Sequence, residues 1–219
     1  ELKNYRNYEE LHMELSQGTN ILYGDNAQGK TNLIEAVYFA AIGKSFRGAH
    51  EADFIRFDQK SARIGVAVRD SLREQRIDIE LSRSKSRSVT QNGVKISRMS
   101  EIVGQLRAVL FCPEHLNIIK EGPAMRRQYL DVAISQLRPL YMRSLQRYNR
   151  ILQQRNKLIK AAAEPEGRRN FDETVEFWSS ELAHEAAFIT VAREKYLELS
   201  SAVVGECFDE MTGGREVPE

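Results

Sequence analysis

Cysteine is scarce in this chain. Cys112 and Cys207 are its only two, they lie far apart, and neither has metal-ligand spacing to a partner. That excludes a disulfide-built secreted scaffold and a zinc ribbon, and it points to a reducing, cytoplasmic compartment. His12, His50, His115 and His184 are scattered along the sequence, so no metal site and no Ser-His-Asp or Cys-His set can be assembled from them. No apolar run is long enough to span a bilayer and no signal peptide opens the chain, so no membrane partner is expected. Net charge is also nearly absent, at +1, and as a total it names no partner. Internal repeats and long low-complexity stretches are missing too. The 219 residues suffice for one large domain or two small ones. The chain opens at Glu1 and closes on the polar Val217-Pro218-Glu219; both ends are expected to be cuts through a longer protein.

What is present begins with Gly24-Asp25-Asn26-Ala27-Gln28-Gly29-Lys30-Thr31. This is G-x-x-x-x-G-K-T, the phosphate-binding loop. Glycines let successive backbone N–H groups turn inward toward a phosphate. Lys30 supplies a point charge for the β and γ phosphates of ATP, and Thr31 a hydroxyl for Mg²⁺. Asn26 is a candidate both for shaping the loop and for touching the γ phosphate. Context supports the motif. Thr19-Asn20-Ile21-Leu22-Tyr23 reads as a short buried strand before the loop, and Asn32 to Ile42 reads as a helix buried on most sides after it. The positive end of that helix's dipole would face the same anion.

The remaining chain falls into two styles. Leu2 to Leu15 alternates loosely and reads as a strand. The helix after the loop ends near Gly43, and Lys44 to Gly48 is a polar loop. Ile64–Val68 and Ile77–Leu81 alternate at period two, a Ser/Arg/Lys loop spans 82–90, and Asn92-Gly93 signals a hairpin between Val89 and Val94. Residues from about 60 to 97 therefore read as an antiparallel sheet. Val109-Leu110-Phe111 reads as a buried strand ended by Pro113.

From Ala124 the pattern is helical. Tyr141, Leu145, Tyr148 and Leu152 share one face, with Arg143, Arg147, Arg150 and Lys157 opposite. Glu164-Pro165-Glu166-Gly167 breaks the helix, and a second helix carries Val175, Trp178, Leu182, Ile189 and Tyr196 on its apolar face. Two long helices joined this way suggest an antiparallel hairpin.

Charge is uneven within the helical part. Between Arg126 and Lys160 stand nine basic residues against one acid, Asp131, and then the balance turns acidic. Arg126, Arg127, Arg143, Arg147 and Arg150 are the candidate DNA contacts. The rival reading is packing of the arginines against Glu176, Glu181 and Glu185 of the second helix. No aromatic platform accompanies the basic residues, so phosphate contact to duplex DNA fits better than stacking on single strands.

Taken together, several stretches resemble one family. They are Asn4 to Tyr8, Gly24 to Ala36, the Gly43 to Arg47 loop, Pro113 to Pro123, Arg126 to Asp131 and Gln154-Arg155-Asn156. They are similar to RecF, the bacterial replication and repair protein related to SMC proteins and ABC-type ATPases, over nearly the whole chain. The resemblance implies an α/β fold. It is an ABC-type ATPase head of the P-loop class, a mixed sheet with the phosphate loop plus an antiparallel sheet, with an α-helical arm domain. Residues 1–123 would form the N-terminal part of the head and 124–219 the arm.

The resemblance further implies an ATP-dependent homodimer. It would bind duplex DNA near single-strand gaps and single-strand/double-strand junctions, and support RecA loading with RecO and RecR in recombinational repair, replication and the SOS response. Arg6 resembles a basic residue that related heads direct toward the nucleotide; the alternative is a solvated strand-edge arginine. Neither a Walker B acid nor an LSxGQ-like stretch is found, and Leu110 to Glu114 offers no Q-loop glutamine. A weak ATPase is expected of the full-length dimer and little or none of this piece alone. Two alternatives stand beside this reading: a P-loop small-molecule kinase, which needs a lid with paired arginines, and an SMC-type structural head, which needs sustained heptads.

Overall fold

The computed structural model describes residues 1–69, 74–162 and 171–215. Two compact units divide the chain, Glu1–His115 and Leu116–Glu219.

In the first unit the sheet is built from alternation. β1 (Leu2–Tyr5) and β2 (Tyr8–Leu11) are followed by β3 (Ser61–Arg69), β4 (Glu74–Ser82), β5 (Ser88–Gln91) and β6 (Val94–Ile96), in spatial order β2-β1-β3-β4-β5-β6. Every pairing within this sheet is antiparallel. β3 pairs β4 with Ile64 opposite Ile79 and Ala62 opposite Leu81. One face of the sheet is therefore apolar, through Ala62, Ile64, Ile77, Ile79, Leu81 and Val89, all buried. The other carries Arg63, Arg76 and Asp78, linked by hydrogen bonds. The Asn92-Gly93 hairpin forms as expected, with φ of 51° and 79° at its two turn residues.

Helix α1 (Lys30–Ile42) covers the apolar face. Ala36 and Ala40 let it approach closely, and Phe39 wedges edge-on against Phe54 at 4.8 Å. Gly43 ends the helix in the left-handed region at φ 77°, and its N–H reaches the Phe39 carbonyl at 2.8 Å. A side chain there would meet Met99, whose Cγ lies 2.4 Å from where a Cβ would sit. This boundary agrees with the sequence reading.

Three expectations need correction. Leu2 to Leu15 is not one strand but the β1–β2 hairpin, turned at Arg6-Asn7 with Arg6 at φ 52°. Thr19 to Tyr23 forms no strand, and Ile21 and Tyr23 are 78% and 91% exposed. Val109 to Phe111 likewise forms no strand, with Val109 99% and Phe111 81% exposed. An inner strand is held by a ladder on each side and a cover on each face. Among the described residues neither segment has such neighbours. Their apolar pattern is that of a buried strand, but among the described residues no element covers them.

The second unit is helical: a short α2 (Asn117–Lys120), then α3 (Pro123–Leu137), α4 (Pro139–Ala161) and α5 (Phe171–Thr212, 42 residues). Pro139 divides what the sequence pattern had run together. The residue before a proline avoids the helical region, and Arg138 is extended at φ −134°, ψ 97°. Proline then opens α4 at its first position, where no N–H is needed. α4 and α5 run antiparallel: Ser144 bonds Glu185, while Arg155, further along α4, bonds Ser179, earlier on α5. The core here is Ile134, Tyr141, Ile189 and Ala192, flanked by Leu130, Leu145, Tyr148 and Tyr196. The break expected at Glu164 to Gly167 lies outside the described residues.

Candidate functional site

The phosphate loop is shaped by left-handed backbone. Gly24 has φ 137°, Ala27 66° and Gly29 104°. Asn26, a candidate for shaping the loop, is not among the positive-φ residues; its neighbour Ala27 is. Alternating hands of this kind point successive N–H groups to one side. Gly29 is the cap of α1, and the first turn of the helix holds no acid, so its free N–H groups and dipole remain available to an anion. Lys30 folds back over the loop, and its Nζ donates to the carbonyls of Gly24 at 2.8 Å and Asp25 at 2.6 Å. Asp25, Asn26, Ala27, Gln28 and Thr31 are all exposed.

The loop leans on the β1–β2 turn. Asn7 Nδ2 donates to the Gln28 carbonyl at 3.1 Å, and Asn32 Nδ2 donates to Asn7 Oδ1 at 2.8 Å. The contact is tight: a Cβ on Gly29 would lie 2.6 Å from Asn7 Nδ2 and 2.9 Å from the Tyr8 hydroxyl. Glycine is thus required at Gly29 twice, by its φ and by this approach.

Arg6 is engaged within its own unit in this structure. Its side chain is only 18% exposed, so it is not a solvated edge residue. Its guanidinium does not reach the loop either. It grips Glu35 of α1, Nε to Oε2 at 3.1 Å and Nη2 to Oε1 at 3.2 Å, and lies over the Phe54 ring at 5.0 Å. Glu35 also accepts from Ser45 Oγ at 2.6 Å, and Arg47 Nη1 stands 3.6 Å away. Beside them the Tyr5 hydroxyl is buried with no hydrogen-bond partner. Burial and then the Glu35 charge push its pKa far up, so it stays neutral. Glu35, Ser45, Arg47, Asn7 and Asn32 were not singled out from sequence. One signal was there to find: Glu35 is the lone charge in the apolar run Leu33 to Ile42.

The arginines of the Ser/Arg/Lys loop are structural. Arg83 donates to the carbonyls of Gln59 at 3.0 Å and Ile55 at 3.2 Å. Arg87 donates to the Gly43 carbonyl at 3.1 Å and to Glu51 at 2.7 Å.

In the helical unit the basic candidates divide. Arg147 pairs with Glu181 and, at 3.1 Å, with Glu185 of α5, two of the acids named in the rival reading of these arginines. Arg143 and Arg150 are exposed with no ion pair among the described residues. At about 100° per residue Arg150 falls ~20° to one side of Arg143 and Arg147 ~40° to the other, and that rotation carries Arg147 toward α5. Arg127 is exposed at the start of α3, and Arg126 is exposed beside it, its Nη1 at 3.5 Å from the Ile118 carbonyl. Deeper in this unit Tyr141 donates to Asp131, and Arg193 holds both, with Nη2 2.7 Å from Asp131 Oδ1. Burial and the Asp131 carboxylate raise the Tyr141 pKa well above that of a free phenol.

Among the described residues no helix is long and apolar enough to cross a membrane, and no group of His, Cys, Asp and Glu could hold a metal ion.

A profile of the AAA domain family matches residues 1–180. The DNA replication and repair protein RecF of Lachnospira eligens is 37% identical over 216 residues, covering 99% of this chain and 59% of its own length. That of Agathobacter rectalis is 38% identical over the same 216 residues, with the same shares. Among solved structures, one of the recombination mediator protein RecF with ATP in the RecFOR pathway superposes with a TM-score of 0.88 at 34% identity, over 97% of this chain and 56% of that one. The Smc head domain with an extended coiled coil from Pyrococcus furiosus superposes with a TM-score of 0.51 at 18% identity, over 95% of this chain and 62% of that one, a likeness of fold alone. The antiparallel sheet, the phosphate loop and these superpositions define an ABC-type head of the P-loop ATPase class. Within that class, the chain belongs to the RecF family. It spans about three-fifths of the length of the curated relatives it matches, 59% in both cases quoted.

Proposed function

We propose that this chain is the nucleotide-binding part of a RecF-type ATPase that acts in DNA replication and recombinational repair in the cytoplasm. The Glu1–His115 unit serves as the N-terminal part of the head and the Leu116–Glu219 unit as its helical arm. Gly24 to Thr31 binds the phosphates of ATP, with Lys30 on the β and γ phosphates. The Thr31 hydroxyl would hold a Mg²⁺ ion bound together with the nucleotide, for which no cage of carboxylates is needed. ATP drives dimerisation, and the dimer binds duplex DNA at junctions with single strands. It then works with RecR and RecO toward RecA loading. Arg143 and Arg150, with Arg126 and Arg127, supply phosphate contacts, and Arg147 serves the arm.

The observation that carries this reading is the shape of the loop. Left-handed turns at Gly24, Ala27 and Gly29 lead directly into the acid-free first turn of α1. The residues present fit a phosphate. The similarity to a RecF structure with ATP over 97% of this chain supports the choice of nucleotide. A small-molecule kinase is disfavoured because the arginines near the loop, Arg6 and Arg47, face Glu35 on the helix.

The test is ATP-dependent duplex binding by the full-length protein. Wild type should gain affinity for a gapped duplex when ATP is added, and Lys30→Ala should lose that gain. DNA binding that ignores ATP in both would end the proposal.

A further inference from the structure

Glu35 is fully buried on α1, one turn beyond Thr31. A carboxylate withdrawn from water is strongly unfavourable unless its oxygens are met by cations and donors. Here they are. Arg6 spans both oxygens, and Ser45 adds a third bond at 2.6 Å. These donors come from two separate segments, the β1–β2 turn and the loop after α1.

The bonds continue until they close a ring. Arg47 Nη1, 3.6 Å from Glu35 Oε2, donates to Asn32 Oδ1 at 3.1 Å. Asn32 donates to Asn7, and Asn7 donates to the Gln28 carbonyl. Asn7 is joined to Arg6 by a single peptide bond, which returns the ring to Glu35. The last link bears on the phosphate loop directly. The Gln28 carbonyl and the Gly29 N–H belong to one planar trans peptide and point in opposite directions. Holding the carbonyl against Asn7 therefore aims the Gly29 N–H the other way.

We infer that Glu35 is a positioning residue for the phosphate loop: its buried charge anchors the Arg6-Asn7 turn, and that turn fixes the Gln28–Gly29 peptide in the orientation an anion needs. The inference rests on the reading of the loop as an ATP site. It makes Asn7 the point of contact and Glu35 the anchor behind it.

The test combines Glu35→Gln, which keeps the shape and removes the charge, with Asn7→Ala, which leaves the Glu35–Arg6 pair in place. Two quantities are read in the full-length protein: ATP affinity, and amide hydrogen exchange at Gly29 and Lys30 without nucleotide. Partners that orient a ligand from behind are worth about 10–100-fold where measured at metal sites, and each single variant should weaken ATP by about tenfold and speed exchange at Gly29. The double variant should lose little beyond either single, because both act on one peptide. Wild-type affinity and exchange in Glu35→Gln, or losses that simply multiply in the double variant, would overturn the inference. Lys30→Ala separates the two levels. If it binds ATP as wild type does, the ATP reading falls, and the exchange rates still decide whether Glu35 orders the loop. If Glu35→Gln proves unfolded, Asn7→Ala with Arg6→Lys replaces it. Lysine cannot span both carboxylate oxygens, so loosened exchange at Gly29 is expected there too, and its absence is contradictory.

Discussion

Both units pair some arginines with acids at the surface, such as Arg63 and Arg69 in the first, but three arginines of the first unit stand in contrast to those of α4. In the first, Arg6, Arg83 and Arg87 all turn inward, to a buried carboxylate or to backbone carbonyls. Their positive charge is spent on structure, and the cation at the phosphate loop is Lys30. In the second, Arg193 and Arg147 are bound to acids while Arg143 and Arg150 stand in solvent. The lesson is that a basic stretch in sequence does not mark a binding face. A guanidinium reaches a carbonyl or carboxylate several ångströms from its backbone. The residues that remain unpaired after folding are the ones left for a polyanion.

The contrast can be broken most severely at Glu35. Glu35→Ala leaves Arg6 in a largely buried place without its partner, and removing one member of a buried pair costs about 3–5 kcal/mol. Thermal or denaturant unfolding of the variant should show a loss of that order. A loss below about 1 kcal/mol would mean the pair behaves as if it were at the surface. In the helical unit Arg193→Ala strands Asp131 and Tyr141 together, but Arg193 and Asp131 are each 21% exposed and water can reach them. A charged hydrogen bond of this kind contributes about 1.5–3 kcal/mol, and the same unfolding experiment should place Arg193→Ala below Glu35→Ala. The reverse order would contradict the difference drawn between the units.

Acid sharpens the picture on the outer face of the sheet. Burial alone would raise the Asp78 pKa, but hydrogen bonds from Arg76 and Arg63 outweigh it and bring it below the usual 3.8. The folded state therefore holds this proton less tightly than the unfolded chain. The stabilisation is full above the ordinary aspartate range and disappears as pH falls through the lowered pKa. Unfolding followed from pH 6 down to about 2 should show less acid sensitivity in Asp78→Asn than in wild type. Equal slopes would remove Asp78 from the account.

A smaller effect should separate the arginines of α4. Arg143→Gln with Arg150→Gln is expected to flatten the log–log salt dependence of duplex binding by about 1.8, from about 0.9 per phosphate contact. Stability should be untouched. Arg147→Gln should leave the slope alone and cost about 1 kcal/mol, because the Arg147 side chain is itself exposed and the buried Glu185 keeps its bond from Ser144. A slope change in Arg147→Gln and none in the double variant would exchange their roles.

Much of this was legible in the sequence, for physical reasons. The glycines and lysine of the loop are forced by backbone chemistry, and the β3–β4–β5–β6 meander follows from period-two alternation and one Asn-Gly turn. The helical hairpin follows from the spacing of Tyr141, Leu145 and Tyr148. The segments at Thr19–Tyr23 and Val109–Phe111 misled because a short apolar run reports what a segment can bury, not which neighbours pair with it. The ring around Glu35 was out of reach because it joins Arg6, Asn7, Asn32 and Arg47 across three separate parts of the chain, and polar side chains carry no periodicity to announce it. The division among Arg143, Arg147 and Arg150 depends on a rotation of a few tens of degrees about the helix, finer than sequence spacing alone resolves.

The central claim is that the cation of the phosphate loop serves a ligand while the arginines around it serve the fold. Calorimetric titration of ATP into wild type and Lys30→Ala, with melting curves on the same samples, tests it most directly. Truncating one partner of a charged, hydrogen-bonded pair costs about 2–5 kcal/mol of binding. We therefore expect Lys30→Ala to lose about thirtyfold or more in ATP affinity and to melt where wild type does. Undiminished ATP binding, or a melting point lowered as far as that of Glu35→Ala, would place Lys30 with the structural cations and contradict the account.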